Sequence, residues 1–178
     1  MLTLVIGGSG SGKSEYAERL AVRLAGTGPR TYLATMQVWD DECRRRVERH
    51  RRQRAGRGFA TLERPQDLTG IPVQALDGRG TILLEDLGNL AANELYGAAP
   101  AEEAGPRILQ GIGHLCRCCR HLVIVSNEVG CGGTDYAGDT GTYLHLLAGL
   151  HRALARQADA VCEVTAGLAA YYKGGEEL

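Results

Sequence analysis

The chain has little of what would place it in a membrane or in a disulfide scaffold. No apolar run approaches the roughly 18 residues that a membrane span needs. The opening MLTLVIGGSG has neither a cationic start nor an apolar run long enough for a secretory signal. These absences predict a cytoplasmic protein with no membrane span. No pair of C-x₂-C hooks stands at ligand spacing from histidines. The cysteines at 43, 116, 118, 119, 131 and 162 therefore read as reduced structural thiols, not as zinc ligands or a disulfide framework. Phenylalanine occurs once, at Phe59, and no aromatics interleave with the basic residues, which argues against a nucleic-acid partner that would stack its bases on the protein. There is no internal repeat and no low-complexity linker. The 178 residues suffice for one well-cored domain, 1–178, and are too few for two.

What is present is an ordinary globular composition, 44% apolar and 23% charged, with charge unevenly spread. Between Arg44 and Arg57 stand eight arginines and one acid, Glu48, so this window carries +7 and the remainder −8 of a net −1. Such a patch suits anions, and nucleotide phosphates fit it if another element of the chain binds them.

That element stands at the start. LTLVIGGSGSGKSEYAERLAVRLAG reads as a short apolar strand, a glycine-rich loop and a helix with Ala17, Leu20, Ala21 and Leu24 on one face. Gly7, Gly12, Lys13 and Ser14 match G-x-x-x-x-G-K-[ST] in the strand-loop-helix setting that the motif requires. Glycines let backbone N–H groups turn inward around a β-phosphate, and the helix N-terminus adds partial positive charge. Lys13 is placed to reach the β- and γ-phosphates and the Ser14 hydroxyl to ligate Mg²⁺. A nucleoside triphosphate site is expected here.

Further apolar runs at RTYLAT (30–35), TILLE (81–85), HLVIVSNE (121–128) and AVCEVT (160–165) alternate with helical or mixed segments. This pattern predicts an α/β fold, a three-layer P-loop NTPase-type sandwich with a mostly parallel central sheet. The glycine-dense GCGGTDYAGDTG, ending at Gly141, reads as a mobile loop. The strand ending in Glu85 and Asp86 offers the acid that holds magnesium in a P-loop protein. Strand alternation lets one of the two face the site, Glu85 in the preferred reading and Asp86 as the fallback.

WDDECRRRVERHRRQRAG opens with acids and ends in arginines and Gly56, the charge order that suits a helix. At helical spacing Cys43, Val47, His50 and Arg54 share a face. His50 has two readings from the residues alone. One is a packed or surface histidine. The other is a nucleophile toward phosphorus, since neutral imidazole is available near pH 7, with the arginines neutralising phosphates and leaving pyrophosphate.

The segments GGSGSGKSEYAERL, YLATMQVWDDECRRRVERHRRQR, the glutamate of ATLE, ILLEDLGNLAANEL and VIVSNEVGCG occur in this order. In them the chain resembles the bifunctional adenosylcobinamide kinase / adenosylcobinamide-phosphate guanylyltransferase family of cobalamin biosynthesis. The resemblance covers roughly the first 130 residues, with a weaker echo in LARQADAVCEVTAGL. It implies that Gly7, Gly8, Ser9, Gly10, Ser11, Gly12, Lys13 and Ser14 hold the triphosphate, and that Ala34, Thr35 and Met36 line the nucleotide. It makes His50 the GMP-carrying nucleophile, and has Arg51, Arg52, Gln53, Arg54, Glu63 and Glu85 complete the guanine-nucleotide contacts. It implies GTP and/or ATP as substrates with Mg²⁺ at Ser14 and Glu85, a corrinoid acceptor, and a homo-oligomer. Two reactions follow: phosphorylation of the hydroxyl on the corrinoid's aminopropanol arm, then transfer of GMP to that phosphate to give adenosylcobinamide-GDP. A monofunctional P-loop kinase or nucleotidyltransferase on another acceptor, or a nucleotide-dependent regulatory protein, are the alternatives. The chain departs from the family after NEVG, where a GIVP turn and an R-x-x-R-D helix start give way to CGGTDYAGDTGTYLHLLAGLHRAL. Gly88 also stands where a Thr is common, while Asn93 is retained.

Overall fold

A computed structural model describes residues 1–37, 41, 44–45, 47–48, 52, 54–76, 80–129 and 138–175. Seven strands form one sheet in the order β3-β2-β4-β5-β1-β6-β7. They are β1 (Leu2–Gly7), β2 (Arg30–Ala34), β3 (Ala60–Glu63), β4 (Thr81–Glu85), β5 (His121–Asn127), β6 (Ala160–Thr165) and β7 (Leu168–Lys173). Every pairing is parallel except β6 with β7, which is antiparallel. Among the described residues, helices α1 (Lys13–Ala25), α2 (Leu87–Leu95), α3 (Ala104–Cys118) and α4 (Asp139–Gln157) cover the sheet.

The continuous apolar runs of β1, β4 and β5 follow from burial on both faces. Val5, Leu83 and Val123 pack with Ala17, Leu20 and Ala21 of α1. Their strand neighbours Leu4, Leu84 and Ile124 turn the other way and pack with Leu90 of α2, Ile112 of α3 and Leu150 of α4. The result is the expected three-layer sandwich, with α1 on one face and α2, α3 and α4 on the other. α1 begins beyond Gly12, whose φ of 88° a β-carbon would disfavour, and ends at Gly26 with φ 55°. α2 begins at Asp86, whose carboxylate accepts the Asn89 N–H. No helix among the described residues is long and apolar enough to cross a membrane.

The sequence reading differs from the structure in three places. The four-residue β3 lies mostly exposed at a sheet edge, so it has no apolar run to announce it. β7 pairs antiparallel at the other edge, with Leu168 and Tyr172 exposed and only Ala169 and Tyr171 turned toward the α1 core. Of the expected loop ending at 141, residues 130–137 lie outside the described residues, and Asp139, Thr140 and Gly141 already belong to α4. The charged helix read around His50 is seen in part. Asp41, Arg44, Arg45, Val47, Glu48 and Arg52 are helical, 54–56 form a turn, and Gly56 takes φ 83°, as a helix-ending glycine does.

Candidate active site

Three of the expected site residues form one row across the carboxyl ends of the strands. Ala34 pairs with Glu63 on one side and with Glu85 on the other. β5 lies between β4 and β1, so the P-loop strand and the acid-bearing strand are second neighbours. The crevice at the carboxyl ends of such strands is where ligands of open α/β sheets bind.

The loop after β1 is held by its own backbone and by the β6–β7 turn. Ser11 N–H donates to Gly8 O at 3.2 Å, and Gly167 N–H donates to Ser11 O at 2.8 Å. A β-carbon on Gly7 would lie 2.6 Å from Val164 O and 2.7 Å from Ser11 Oγ, and one on Gly12 would lie 3.1 Å from Gly167 Cα. The motif's two fixed glycines are thus demanded by close approach of β6 and of the β6–β7 turn, besides the phosphate cradle. Ser9 and Gly10 are exposed at the loop tip, and Gly8 is half-buried. Lys13 is 7% exposed and its Nζ donates to Gly8 O at 3.0 Å, which lays the ammonium over the loop.

Beneath the loop, the Ser14 hydroxyl donates to Glu85 Oε1 at 2.5 Å. Glu85 as a residue keeps some exposure, but its Oε2 is sealed from solvent and has no hydrogen-bond partner. Burial pushes the Glu85 carboxyl up to about 8; the Ser14 hydrogen bond and Lys13 oppose this, while Asp86 and Glu18 reinforce it. A buried carboxylate oxygen without a donor, beside a serine hydroxyl, is a hard-oxygen set that fits a divalent cation such as Mg²⁺. The Ser11 hydroxyl is also buried without a partner.

Asp86 does different work. Its carboxylate accepts from Asn89 N–H at 2.6 Å and from Asn127 Nδ2 at 3.0 Å, which caps α2 and ties it to β5. Its carbonyl accepts the Thr35 hydroxyl at 2.7 Å, while Thr35 N–H donates to Glu85 O at 3.1 Å. Thr35 is fully buried and stitches the end of β2 to the end of β4. Asn93 extends the stitch, donating to Thr35 O at 2.8 Å and to Pro65 O at 3.0 Å. Ala34 and Met36, on either side of Thr35, are half-buried, and Glu63 is exposed at the end of β3.

On the arginine-rich segment, His50, Arg51 and Gln53 lie outside the described residues. Arg52 is exposed beside Glu48, 3.6 Å away. Arg54 is 7% exposed and buried against the sheet: its guanidinium carbon lies 3.8 Å from the centroid of the Tyr32 ring, and its Nη2 donates to Thr61 Oγ1 at 3.4 Å. Nothing in the spacing of Arg54 signals this contact, because Tyr32 is on another element. The tie of Thr35 between β2 and β4, the bond of Asn127 to Asp86 and the packing of the β6–β7 turn on the P-loop likewise join distant parts of the chain and leave no local signal.

A family model described as cobinamide kinase / cobinamide phosphate guanyltransferase matches residues 3–171. The chain is 32% identical over 176 residues to the bifunctional adenosylcobalamin biosynthesis protein CobP of Pseudomonas aeruginosa, covering 98% of each chain. It is 31% identical over 180 residues to the bifunctional adenosylcobalamin biosynthesis protein CobU of Escherichia coli, covering 94% of this chain and 97% of that one. Among solved structures, the flagellar accessory protein FlaH of Methanocaldococcus jannaschii is similar with a TM-score of 0.51 and 12% identity, over 98% of this chain and 78% of that one. A KaiC-like protein of Pyrococcus horikoshii is similar with a TM-score of 0.53 and 13% identity, over 98% and 79%. These last two bear on the fold alone and agree with a P-loop sandwich.

Proposed function

The chain belongs to the cobinamide kinase / cobinamide phosphate guanyltransferase family, enzymes of adenosylcobalamin biosynthesis, and on that premise we propose that it runs both steps on one corrinoid acceptor, the second through a guanylyl-histidine at His50. Residues 1–178 act as a single nucleotide-binding and transferase unit, working as a homo-oligomer. The observation that carries the reading is the Ser14–Glu85 pair under the P-loop, with its partnerless carboxylate oxygen.

In the first step, backbone N–H groups of the loop from Gly7 to Ser14 and the ammonium of Lys13 hold the triphosphate. The alcohol of the corrinoid's aminopropanol arm attacks the γ-phosphorus, the bond to the β–γ bridging oxygen breaks to release the nucleoside diphosphate, and the hydroxyl proton passes to solvent as the ester forms. Bound at Ser14 and Glu85, Mg²⁺ would neutralise charge building on the phosphate oxygens. Glu85, held toward its protonated form by burial, would give up that proton in holding the cation.

In the second step, a ring nitrogen of neutral His50 attacks the α-phosphorus of GTP and the bond to pyrophosphate breaks. A phosphate oxygen of the acceptor then attacks the same phosphorus, the phosphorus–nitrogen bond breaks, and histidine is regenerated with adenosylcobinamide-GDP. Arg51, Arg52, Gln53 and Arg54 bring donors and positive charge to the polyphosphate, with Ala34, Thr35, Met36 and Glu63 along the nucleotide.

Incubation with cobinamide, GTP and Mg²⁺, with products read by mass, tests the proposal. Cobinamide phosphate followed by cobinamide-GDP is the expected course. Accumulation of the phosphate alone would reduce the protein to a kinase, and an unchanged corrinoid would overturn the acceptor assignment.

A further inference from the structure

A partly buried ionic cluster on the α1 face serves neither the apolar core nor the phosphate cradle. Glu18, one helical turn beyond Ser14 on α1, is 2% exposed, and its Oε2 accepts Arg57 Nη1 at 2.6 Å. Arg54, three residues before Arg57, is stacked on Tyr32 of β2 and reaches Thr61 of β3. Burying a carboxylate and a guanidinium is expensive, and apolar side chains of similar volume stabilise such a site at least as well. An ionic cluster kept at this place makes sense if geometry matters more than stability.

The segment that precedes it shows which geometry. Asp41, Arg44, Arg45, Glu48 and Arg52 are exposed and Val47 is half-buried, so the described helical residues present no buried apolar stripe to the sheet. Their ion pairs are internal, Arg44 with Asp41 at 3.4 Å and Arg52 with Glu48 at 3.6 Å. Among the described residues, the side-chain bonds that attach residues 41–57 to the sheet and to α1 are those of Arg54 and Arg57. The described residues of this helix supply no apolar anchor, and what fastens them is the end of the segment, bolted to the helix that carries Lys13 and Ser14. Arg54 follows His50 by four residues and Arg57 by seven.

We infer that Glu18 and Arg57, with Arg54 on Tyr32, are positioning residues for guanylyl transfer: they fix the segment bearing the nucleophile to the P-loop helix and set its place at the reacting nucleotide. This rests on His50 as the GMP carrier. Glu18 and Arg57 act through the segment they hold. Their loss displaces the nucleophile, and a displacement of about 1 Å costs on the order of 10²-fold in a group-transfer step. The kinase step, whose phosphate contacts come from the loop backbone and Lys13, needs no such placement.

The test uses the full-length protein with GTP labelled at the α-phosphate and compares the rate of covalent labelling with the rate of cobinamide phosphorylation. Arg57→Ala should slow labelling at least tenfold at saturating GTP, with the GTP concentration for half-maximal rate within about threefold of wild type and phosphorylation within about threefold. Arg57→Lys should recover a large part of the loss, and Glu18→Gln should reproduce the Arg57→Ala defect. Equal loss of both activities would make the cluster a structural support and overturn the inference, as would Arg57→Ala labelling at the wild-type rate. If Arg57→Ala does not fold, Arg57→Lys and Glu18→Gln carry the same comparison. Absence of label on the wild-type protein would instead strike at His50 itself, a different failure.

Discussion

The P-loop and the arginine-rich segment, the two regions proposed to meet phosphate, are built on opposite principles. The loop from Gly7 to Ser14 is a backbone device, held by main-chain bonds to Gly8 and Gly167 and by glycines that admit close neighbours. The segment from 41 to 57 is a side-chain device, rich in arginine, with most of its described residues exposed and its end fastened by Arg54 and Arg57. A backbone cradle recognises any polyphosphate, so it serves both steps. A side-chain device holds one group in one place, which suits it to the step proposed to need a nucleophile. Substitutions in the two regions should therefore separate the activities.

The largest effect is expected at the shared region. Lys13→Ala removes the ammonium that lies over the loop and should lower both phosphorylation and GMP transfer by at least about 10²-fold, measured as initial rates at saturating GTP. A variant that keeps wild-type phosphorylation would separate the P-loop from the kinase site and break the contrast.

The next effect distinguishes two adjacent acids. Glu85→Gln should reduce magnesium-dependent turnover by roughly 10- to 100-fold while leaving nucleotide binding nearly intact, because the backbone cradle is untouched. Asp86→Asn should matter less, since asparagine still caps α2. A larger loss in Asp86→Asn, by the same magnesium titration, would transfer the metal role to Asp86.

Glu85 also makes a pH signature. Its carboxyl sits near 8 in the fold against an ordinary value of 4.5, so the stabilisation is complete below about 4.5 and is lost as pH rises through 8. Without metal, unfolding free energy should fall by up to about 1.4 kcal/mol per pH unit across that window, and Glu85→Gln should remove this part of the slope. Apparent Mg²⁺ affinity should rise over the same window, because the cation displaces the proton. Urea melts and magnesium titrations between pH 5 and 8.5 check both; parallel slopes for wild type and variant would show that the carboxylate is not held neutral.

The smallest effect is structural. Asn93→Ala leaves the carbonyls of Thr35 and Pro65 without that donor and should cost about 1–3 kcal/mol in urea unfolding. The expected kinetic cost is similar in both steps, because Thr35 fastens the ends of β2 and β4 beneath the proposed nucleotide site.

The same contrast governs what could be read in the chain beforehand. Glycine spacing, the apolar runs of β1, β4 and β5, and the face of α1 are local patterns, and each announces its element. The pairing of Ser14 with Glu85 follows from motif chemistry, although the two are 71 residues apart. β3 and β7 are short edge strands with exposed faces and leave no run to count. The bond from Arg57 to Glu18 spans 39 positions and joins residues that each look like surface charge. Local chemistry is written in spacing; contacts between distant charges are not, and they are what fastens the arginine-rich segment.

The central claim is that His50 carries GMP, and trapping the covalent intermediate tests it most directly. Protein incubated with GTP labelled at the α-phosphate should retain label through denaturation, while GTP labelled at the γ-phosphate should leave none. The label should be lost in acid and survive mild base, as a phosphorus–nitrogen bond does and an ester on Ser9, Ser11 or Ser14 does not. His50→Asn should abolish it while cobinamide phosphorylation continues. Acid-labile label that persists in His50→Asn would contradict the account.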